Sequence, residues 1–457
     1  MKFKVPHTLT LLFFLMICAL ILTWILPSGE FQTEMNEMNR EMVIPGSFDT
    51  YEEKEYLPAT SLFTVVPRAF ADAQGIIFFV LIIGGALAVV RQTGAIDALL
   101  GKMVTVFGDQ PGPLLFLTMF AFAAASATLG MAEEYIPFAI ILVALCAALN
   151  MDAITAIGTM VVGYGIGYGI AIMNPFTLLI AQDVAGLQPT SGMWYRFILA
   201  VPLLAVGFHH VWKYTAKVRT NPHESLMADV QSEPTQQKYE YPDMTGRRIA
   251  VLIATLATLI VLVLGIAFRG WYLVELGGIF LGLTVAAGLI AGSGINKIAS
   301  GFTKGAAELT GTALLIGFAR SIALLMEDGD ILHTVVNALA APLGAVGAEF
   351  SAIGMLFIQC VLNFFIPSGS GQALVTMPLM APIGDLVGVS RQISVLAFQF
   401  GDGLMNMIVP TNPVLMGILG LASIPYDKWF AFIFPLILKL VTICSVALAV
   451  AVWIGYS

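Results

Sequence analysis

Two stretches of this chain carry the same helix-breaking pattern, and both lie within apolar sequence long enough to enter a membrane. Residues 163–175 and 401–413 each begin with two glycines separated by one residue and end in Asn-Pro. The matching landmarks are separated by one constant offset of about half the chain. Because proline removes a backbone donor and glycine weakens a helix, the repeated pattern predicts one interrupted helix in each half.

The composition indicates a membrane protein. Hydrophobic residues make up 58% of the 457 residues and charged residues only 11%, whereas a soluble domain carries about 25% charged residues. We therefore expect an all-α polytopic membrane protein. The net charge of −8 arises mainly from the acidic stretch 28–66 and does not indicate nucleic-acid binding. The four cysteines lie apart without a CxxC pattern, so we expect free thiols, no metal site and no cofactor.

Long apolar segments define the predicted crossings, because a helix needs about 20 apolar residues to span a bilayer. The first, 8–27, is interpreted as a retained helix and not as a cleaved signal peptide, since no suitable cleavage site follows it. Regions 112–149 and 350–388 are too long for one crossing and carry a polar tip in the middle, which predicts re-entrant hairpins. The other predicted crossings are 74–91, 152–188 (interrupted), 194–212, 247–268, 272–291, 310–326, 392–421 (interrupted) and 429–453.

The two halves are predicted to form an inverted repeat, because an extra helix after the first half reverses the second. Residues 1–212 form the first repeat, 213–248 a polar linker, and 249–457 the extra helix with the second repeat. Basic residues concentrate near the N-terminus and in the linker, which predicts that both are cytoplasmic. We expect a multi-pass protein of the bacterial inner membrane.

The two interruptions offer binding groups of both signs. A broken helix leaves free N–H groups at the start of one half and free C=O groups at the end of the other, and these attract anions and cations respectively. Asn174 and Asn412 add a side-chain amide to each interruption, and Thr411 adds a hydroxyl. The alternative for either segment alone is a proline kink with glycine packing.

The two polar tips differ in chemistry. Glu133 and Glu134 stand in the first tip, and a carboxylate within apolar sequence is a functional candidate because its burial is costly. Adjacent residues point about 100° apart on a helix, so we expect one of them to face the site. Alternatively, one or both reach the headgroup region or pair with Arg320. The second tip offers hydroxyls and exposed backbone N–H groups for a carboxylate or Na⁺: Ser368, Gly369, Ser370, Gly371 and Gln372.

Two further charged residues lie in predicted crossings. Arg320 is either an ion-pair partner for Glu133, Glu134 or Asp402, or a direct substrate contact. Asp402 lies between two glycines in the second interruption and is a candidate cation or proton ligand. Protease and nucleotide-binding motifs are absent from the sequence, so we expect neither an enzyme nor an ATP-driven machine.

The two tips carry a resemblance. Residues 131–138 and 367–373 resemble the YfcC family of arginine/ornithine antiporter-like membrane proteins, within a larger superfamily of ion transporters. That family is related to anaerobic dicarboxylate carriers and aminobenzoyl-glutamate transporters. The resemblance covers nearly the whole chain and implies an elevator-type secondary transporter. Such a protein has a scaffold domain that forms a homodimer and a transport domain that contains both hairpins and both interrupted helices.

The resemblance also implies residues that bind a coupling ion, Na⁺ or H⁺. In the sodium-coupled branch, oxygen atoms from a hairpin tip and an interrupted helix form each ion site. The first tip here carries Glu-Glu where that branch has Asn-Thr-type residues, and this departure weakens the case for a first sodium site. The matching positions in this chain are Ser126, Thr128, Asn174, Ser370, Asp402, Thr411 and Asn412.

The predicted site favours a zwitterion with additional positive charge. Glu133, Glu134 and Asp402 match a guanidinium or ammonium group, while the second tip and the half-helix N-termini match an α-carboxylate. The sequence therefore predicts transport of arginine, ornithine or lysine, by exchange or by ion-coupled uptake. A dicarboxylate transporter that uses Arg320 is the alternative, and a channel or passive exporter is a third possibility.

Overall fold

A computed structural model describes residues 8–35, 41–44, 47–107, 110–174, 176–230, 242–269, 271, 273–340, 342–343 and 347–457. Pro175, the basic N-terminal residues Lys2 and Lys4, and residues 231–241 of the predicted linker lie outside this set. Within the described residues, seven helices are long and apolar enough to cross a membrane, or eight if one bent helix pair is a single span. The protein is an all-α polytopic membrane protein.

Nineteen helices and four short strands occur in the described residues. The helices before the polar linker are α1 Thr8–Ile25, α2 Ser61–Asp72, α3 Gln74–Gln92, α4 Ala95–Phe107, α5 Gly112–Leu129, α6 Ile136–Ala148, α7 Ala153–Ile170, α8 Leu178–Val184 and α9 Met193–Thr220. Those after it are α10 Gly246–Arg269, α11 Leu273–Ile290, α12 Ile295–Glu308, α13 Thr310–Asp328, α14 Leu332–Ala340, α15 Ala348–Phe365, α16 Gly369–Val387, α17 Arg391–Met405, α18 Pro413–Leu421 and α19 Tyr426–Trp453.

Both long apolar segments with Asn-Pro are interrupted. The first consists of α7 and α8, with described non-helical residues 171–174 and 176–177 between them, and the second of α17 and α18 with a break at 406–412. Asp152 begins α7 by accepting a hydrogen bond from Thr155 N, and Ser390 begins α17 by accepting one from Ile393 N, because a side-chain oxygen satisfies a free N–H at a helix start. These two residues set where the apolar segments start.

The glycines of the repeated pattern lie inside the helices and not in the breaks. A Cβ on Gly163 would lie 2.6 Å from Met119 O, and one on Gly403 would lie 2.2 Å from Gly169 N. These glycines therefore let backbones approach closely, as small residues do in membrane bundles. The break itself is made by the residues around the two Asn-Pro pairs. Glycine packing, one part of the proline-kink alternative, thus accompanies the interruptions.

The pair α7 and α17 forms the centre of the molecule. Every residue of α7 is buried, and α17 packs directly against it. Helix α5 covers α7 on one side, while α15 covers α17 on the other. The second arm of each predicted hairpin contacts the interrupted segment of the other half, since α6 contacts α18 and α16 contacts α8. Each polar tip is thereby brought to a helix break.

A second group of helices flanks this centre. Helix α3 packs between α11 and α12, and α13 packs against α1, α2 and α18. Helices α2 and α12 precede α3 and α13 respectively, and both are amphipathic. The contact between α13 and α18 joins the two groups of helices beside the second break.

The acidic stretch after α1 contains structure that the sequence pattern did not indicate. Strand β1 (Gly29–Glu30) pairs with β4 (Asp49–Thr50), and β2 (Thr33–Met35) pairs with β3 (Glu41–Val43). Phe31 is buried in a small separate apolar cluster with Val336, Leu362 and Leu379. These strands form a cap that rests on α14 and α16.

Helix α9 extends eight residues into the predicted linker, to Thr220. The chain then folds back, and Ser225 Oγ donates a hydrogen bond to Asp152 Oδ2 at 2.6 Å. Lys428 at the start of α19 donates to Asp229 at 2.8 Å. The first part of the linker is therefore held against the ends of α7, α9 and α19.

Candidate functional site

One cavity of about 810 Å³ lies where the two tips and the second break come together. Polar groups from the first tip, the second tip, α7 and the second break border it, together with charged residues from α2 and α13. The lining residues that carry polar side chains or belong to the second tip are Asp72, Glu133, Glu134, Tyr164, Tyr168, Arg320, Glu327, Ser368, Gly369, Ser370, Gly371, Asn406 and Asn412.

The first tip is joined to the first break by Asn174. Its Nδ2 donates to Ser126 O at 3.3 Å, and its Oδ1 accepts from Phe176 N at 2.9 Å and Thr177 N at 3.1 Å. Gly130 ends α5 with φ at +71°, and a Cβ there would lie 2.6 Å from Asn174 Oδ1. Asn174 is fully buried, so it holds the two elements together and does not border the cavity.

Both glutamates of the first tip border the cavity. They lie in a short 3-10 turn, Glu133–Tyr135, so the expectation of a single inward-facing residue on a regular helix does not describe this geometry. Glu134 is buried, and its Oε2 accepts a hydrogen bond from Ala132 N at 2.8 Å. Glu133 is the more exposed of the two. The turn therefore presents one partly exposed carboxylate and one buried carboxylate that is held by a backbone N–H.

Ser126 and Thr128 of the first tip do not border the cavity. Ser126 Oγ donates to Met131 O at 2.7 Å and also lies 3.0 Å from Tyr135 Oη. Thr128 Oγ1 donates to Ala124 O at 2.7 Å within its own helix. Both hydroxyls are therefore engaged in hydrogen bonds within the first hairpin.

The second tip reaches the first break and α17 at Gly369. A Cβ there would lie 2.4 Å from Thr177 Cγ2, 2.9 Å from Asp402 Oδ2 and 3.3 Å from Tyr168 Oη. Ser368 begins α16 by accepting a hydrogen bond from Gly371 N at 3.3 Å, and both it and Ser370 border the cavity. Only a residue without a side chain fits where these elements converge.

A chain of side-chain hydrogen bonds links the second hairpin to the second break. Asn363 Nδ2 on α15 donates to Asp402 Oδ1 at 2.9 Å and to Gln372 Oε1 at 3.2 Å. Asn406 Nδ2 donates to the same Asp402 oxygen at 3.0 Å. Asn412 Nδ2 donates to Asn406 Oδ1 at 2.8 Å. Gln372 is fully buried, so this tip residue belongs to the network and not to the cavity wall.

Three buried oxygen atoms around this network have no hydrogen-bond partner among the described residues. They are Oδ2 of Asp402, Oδ1 of Asn363 and Oγ1 of Thr411. Asp402 and Thr411 are fully buried and lie behind the cavity wall. Buried polar atoms are nearly always satisfied, so unpartnered oxygens of this kind are candidates for a bound proton or cation.

Arg320 borders the cavity, and its ion pairs go to residues other than those expected. Its Nε donates to Asp72 on α2, and its Nη1 donates to Glu327 at 3.0 Å. The expected partners Glu133, Glu134 and Asp402 belong to other elements. Asp72 lies on the neighbouring α2, and Glu327 lies on α13 two helical turns after Arg320, which places it on the same face. Two carboxylates therefore already surround the guanidinium.

Several lining residues escaped the sequence analysis although signals for them exist. Glu327 follows Arg320 by seven positions, and Asn406 follows Asp402 by four, both helical spacings that share a face. Asp72 belongs to a short segment that has a counterpart before α13, with Glu308 in the matching position. Tyr164 and Tyr168 on α7 carried no sequence signal beyond their place among glycines.

The cap formed by Asn412 provides a first testable prediction. Its Oδ1 accepts from Val414 N at 2.9 Å and Leu415 N at 3.2 Å, so Asn412→Ala should destabilise the protein by about 1 kcal/mol through loss of the helix cap. Asn412→Asp keeps the acceptor and should retain most of that stability. Thermal unfolding of the purified variants measures both effects.

The matched control for this prediction is Asn221, which caps an exposed 3-10 turn by accepting from His223 N at 3.3 Å. Asn221→Ala should leave the unfolding temperature nearly unchanged, because the turn it caps is exposed. Equal decreases in unfolding temperature for Asn221→Ala and Asn412→Ala would contradict the prediction that the helix cap at the second break contributes to stability.

Helices interrupted beside two polar tips, around one charged cavity within a membrane bundle, define a multi-pass membrane transporter. Comparison with known proteins agrees with that class. A family model described as DcuC, C4-dicarboxylate anaerobic carrier, matches residues 5–453. The chain belongs to this family, and the resemblance noted in the sequence is confirmed. The family is described as a carrier family, and the relatives that are named for an activity are transporters and not enzymes.

Individual relatives cover the full chain. YfcC of Escherichia coli (strain K12), provisionally named a basic amino acid antiporter, is 33% identical over 100% of this chain and 98% of its own length. An uncharacterized protein of Haemophilus influenzae is 28% identical over 98% of this chain and 97% of its own. The solved structure of the Alcanivorax borkumensis YdaH transporter covers 99% of each chain, with 18% identity and a TM-score of 0.43.

Proposed function

We propose that this protein is a secondary active transporter of basic amino acids, of the arginine, ornithine and lysine class. The observation that carries the proposal is the charge of the cavity. Four carboxylates border it, and Arg320 is the single guanidinium or ammonium group among the lining residues described. Two of these carboxylates pair with Arg320, so negative charge exceeds positive charge among the lining residues described. The lining carboxylates are Asp72, Glu133, Glu134 and Glu327.

The proposed binding mode separates the two ends of the substrate. Glu133 and Glu134 would accept charge-assisted hydrogen bonds from the guanidinium or ammonium group. The α-carboxylate would lie against backbone N–H groups of the second tip and near the start of α18, where the helix dipole favours negative charge. Tyr164 and Tyr168 border the same space and offer aromatic faces to a cation. The provisional name of the Escherichia coli relative supports this substrate class.

The coupling ion is proposed to bind behind the cavity, at Asp402. Its unpartnered Oδ2 and the unpartnered Thr411 Oγ1 are oxygen atoms in buried positions. Na⁺ would use these oxygens as ligands, and H⁺ would bind to the carboxylate itself. Ser370, Asn412 and Asn174 belong to the tips and breaks on either side. A cation or proton bound at Asp402 would therefore couple the conformation of the second tip to that of the second break.

The proposed transport movement is of the elevator type. The centre built on α7 and α17 would move together with both hairpins, while helices such as α3, α11 and α13 would form the stationary scaffold. Support comes from the mirrored contacts, since α6 meets α18 and α16 meets α8, as expected for an inverted repeat. We further propose a homodimer through the scaffold, in the bacterial inner membrane, with the N-terminus in the cytoplasm.

A dicarboxylate is the second candidate substrate. The family description names C4-dicarboxylate carriers, and Arg320 borders the cavity. A dicarboxylate that binds Arg320 would have to displace Asp72 or Glu327 and would also face the glutamates of the first tip. Specificity arises from such repulsion as much as from attraction, and the balance of charges therefore favours a cationic substrate.

A ligand screen followed by counter-flow tests the proposed function. Arginine, ornithine or lysine should raise the unfolding temperature of the purified protein, because a ligand that binds only the folded state stabilises it. Succinate and fumarate should not. In proteoliposomes, preloading with a basic amino acid should accelerate uptake of the labelled one. Stabilisation by dicarboxylates alone would favour the second candidate, and uptake insensitive to preloading would favour a channel.

A further inference from the structure

A second cavity, of about 300 Å³, lies between α3, α12 and the second arm of the first hairpin. Its walls have a polar part and an apolar part. The polar part consists of Arg91, Gln92, Lys304 and Glu308. The remaining walls are apolar, with side chains from α3, α4, α6 and α12 or its end: Leu87, Ala88, Ile96, Ile140, Ile141, Ala144 and Leu309.

The polar part carries net positive charge. Arg91 lies in the last turn of α3 and Lys304 lies on α12, and both residues are exposed. Within the described part of the chain, the ion pairs of the molecule involve neither of them. Glu308 is the one acidic residue among the lining residues described. Two cations with their donors available therefore lie beside an apolar surface.

Only an amphiphile matches both parts of this cavity. A soluble anion would satisfy the cations but leave the isoleucine surface uncovered, and a neutral hydrocarbon chain would leave the cations unpaired. A phosphodiester accepts hydrogen bonds from guanidinium and ammonium groups, and acyl chains cover apolar surface. Basic pockets between membrane helices bind anionic lipid head groups for these reasons.

We infer that this cavity binds an anionic phospholipid of the surrounding bilayer. The phosphate would lie between Arg91 and Lys304, with Gln92 as a further donor. The acyl chains would follow Ile96, Ile140 and the neighbouring apolar residues. The lipid would touch α3 and α12 on one side and α6 on the other, so it would resist sliding of the first hairpin past these helices. The lipid site stands independently of the transported substrate.

Lipid binding to the purified protein provides the test. The protein is held in nanodiscs of phosphatidylcholine, and fluorescent phosphatidylglycerol is titrated in. A basic residue near the membrane surface contributes about 1 kcal/mol to such binding, so Arg91→Gln and Lys304→Gln should each weaken it about fivefold. The charge-preserving variants Arg91→Lys and Lys304→Arg should restore it. Lys297→Gln, on the same α12 but outside the cavity, should bind phosphatidylglycerol like the unaltered protein.

Two further arms identify the ligand and the folded state. Soluble glycerol phosphate should not displace the lipid, because it lacks the acyl chains; equal competition by it would overturn the lipid assignment in favour of a soluble phosphate. The unfolding temperature in pure phosphatidylcholine should be the same for all variants. Equal lipid affinity for Lys297→Gln, Arg91→Gln and Lys304→Gln would also overturn the proposal. None of these lipid-binding results bears on the substrate proposed for the main cavity, which the ligand screen tests separately.

Discussion

Replacing Glu133 by glutamine should lower uptake of basic amino acids in proteoliposomes by at least about tenfold. A hydrogen bond to a charged group is worth about 1.5–3 kcal/mol, and each 1.4 kcal/mol corresponds to a factor of ten in binding. Glutamine keeps the size of the side chain and removes only its charge. Glu134→Gln should also reduce uptake. It should disturb the conformation of the first tip more than Glu133→Gln does, because Glu134 accepts a hydrogen bond from Ala132 N.

The matched control is Glu349→Gln, which removes a carboxylate from the exposed first turn of α15 outside the cavity. It should leave uptake unchanged, so that a general change in protein charge is excluded as the cause. The dicarboxylate alternative predicts a different pair of results. Glu133→Gln would then leave basic amino-acid uptake as it was, while Arg320→Ala would abolish uptake of an acidic substrate.

The helix breaks and tips could be predicted because their signals are local. An Asn-Pro pair within an apolar segment and a polar tip between two apolar arms each lie in one short piece of sequence. The second arm of the second hairpin shows the strength of such signals, since Ser368 both begins α16 and borders the cavity. Local helix-start chemistry and cavity chemistry coincide there.

Contacts between distant elements could not be predicted in the same way. The partner of Arg320 on α2, Asp72, is separated from it by 248 positions, and nothing in either segment indicates that they meet. The cap strands escaped for another reason, because they are two or three residues long and too short for a periodic pattern. Packing of the whole bundle decides both features.

The glycine pattern shows a signal with two physical meanings. Paired glycines before Asn-Pro predict an interrupted helix, and interruptions do follow them. In the structure these glycines allow close packing, while Ala171 ends α7 with φ at +43° and α8 starts only after Thr177. A glycine that breaks a helix and a glycine that allows close helix packing give the same sequence pattern. Only the neighbouring helix distinguishes them.

Gly403→Ala should therefore be among the most damaging single-methyl changes in this protein. The added Cβ would lie 2.2 Å from Gly169 N and 2.4 Å from Gly169 Cα. Those are backbone atoms, so no side chain can turn away and α7 must separate from α17. Overpacking typically costs about 1–3 kcal/mol, and we expect a loss at the upper end of that range, because both helices are buried.

The opposite side of the same contact supplies the control. A Cβ on Gly169 would meet its nearest neighbours at 3.6–3.9 Å, which is ordinary van der Waals contact. Gly169→Ala should thus be tolerated or slightly stabilising, since alanine favours a helix over glycine by up to about 1 kcal/mol. Thermal unfolding and uptake of both variants measure the difference. If the two substitutions lowered the unfolding temperature equally, the close crossing of α7 and α17 at Gly403 would be wrong, and with it the central packing that brings the tips to the breaks.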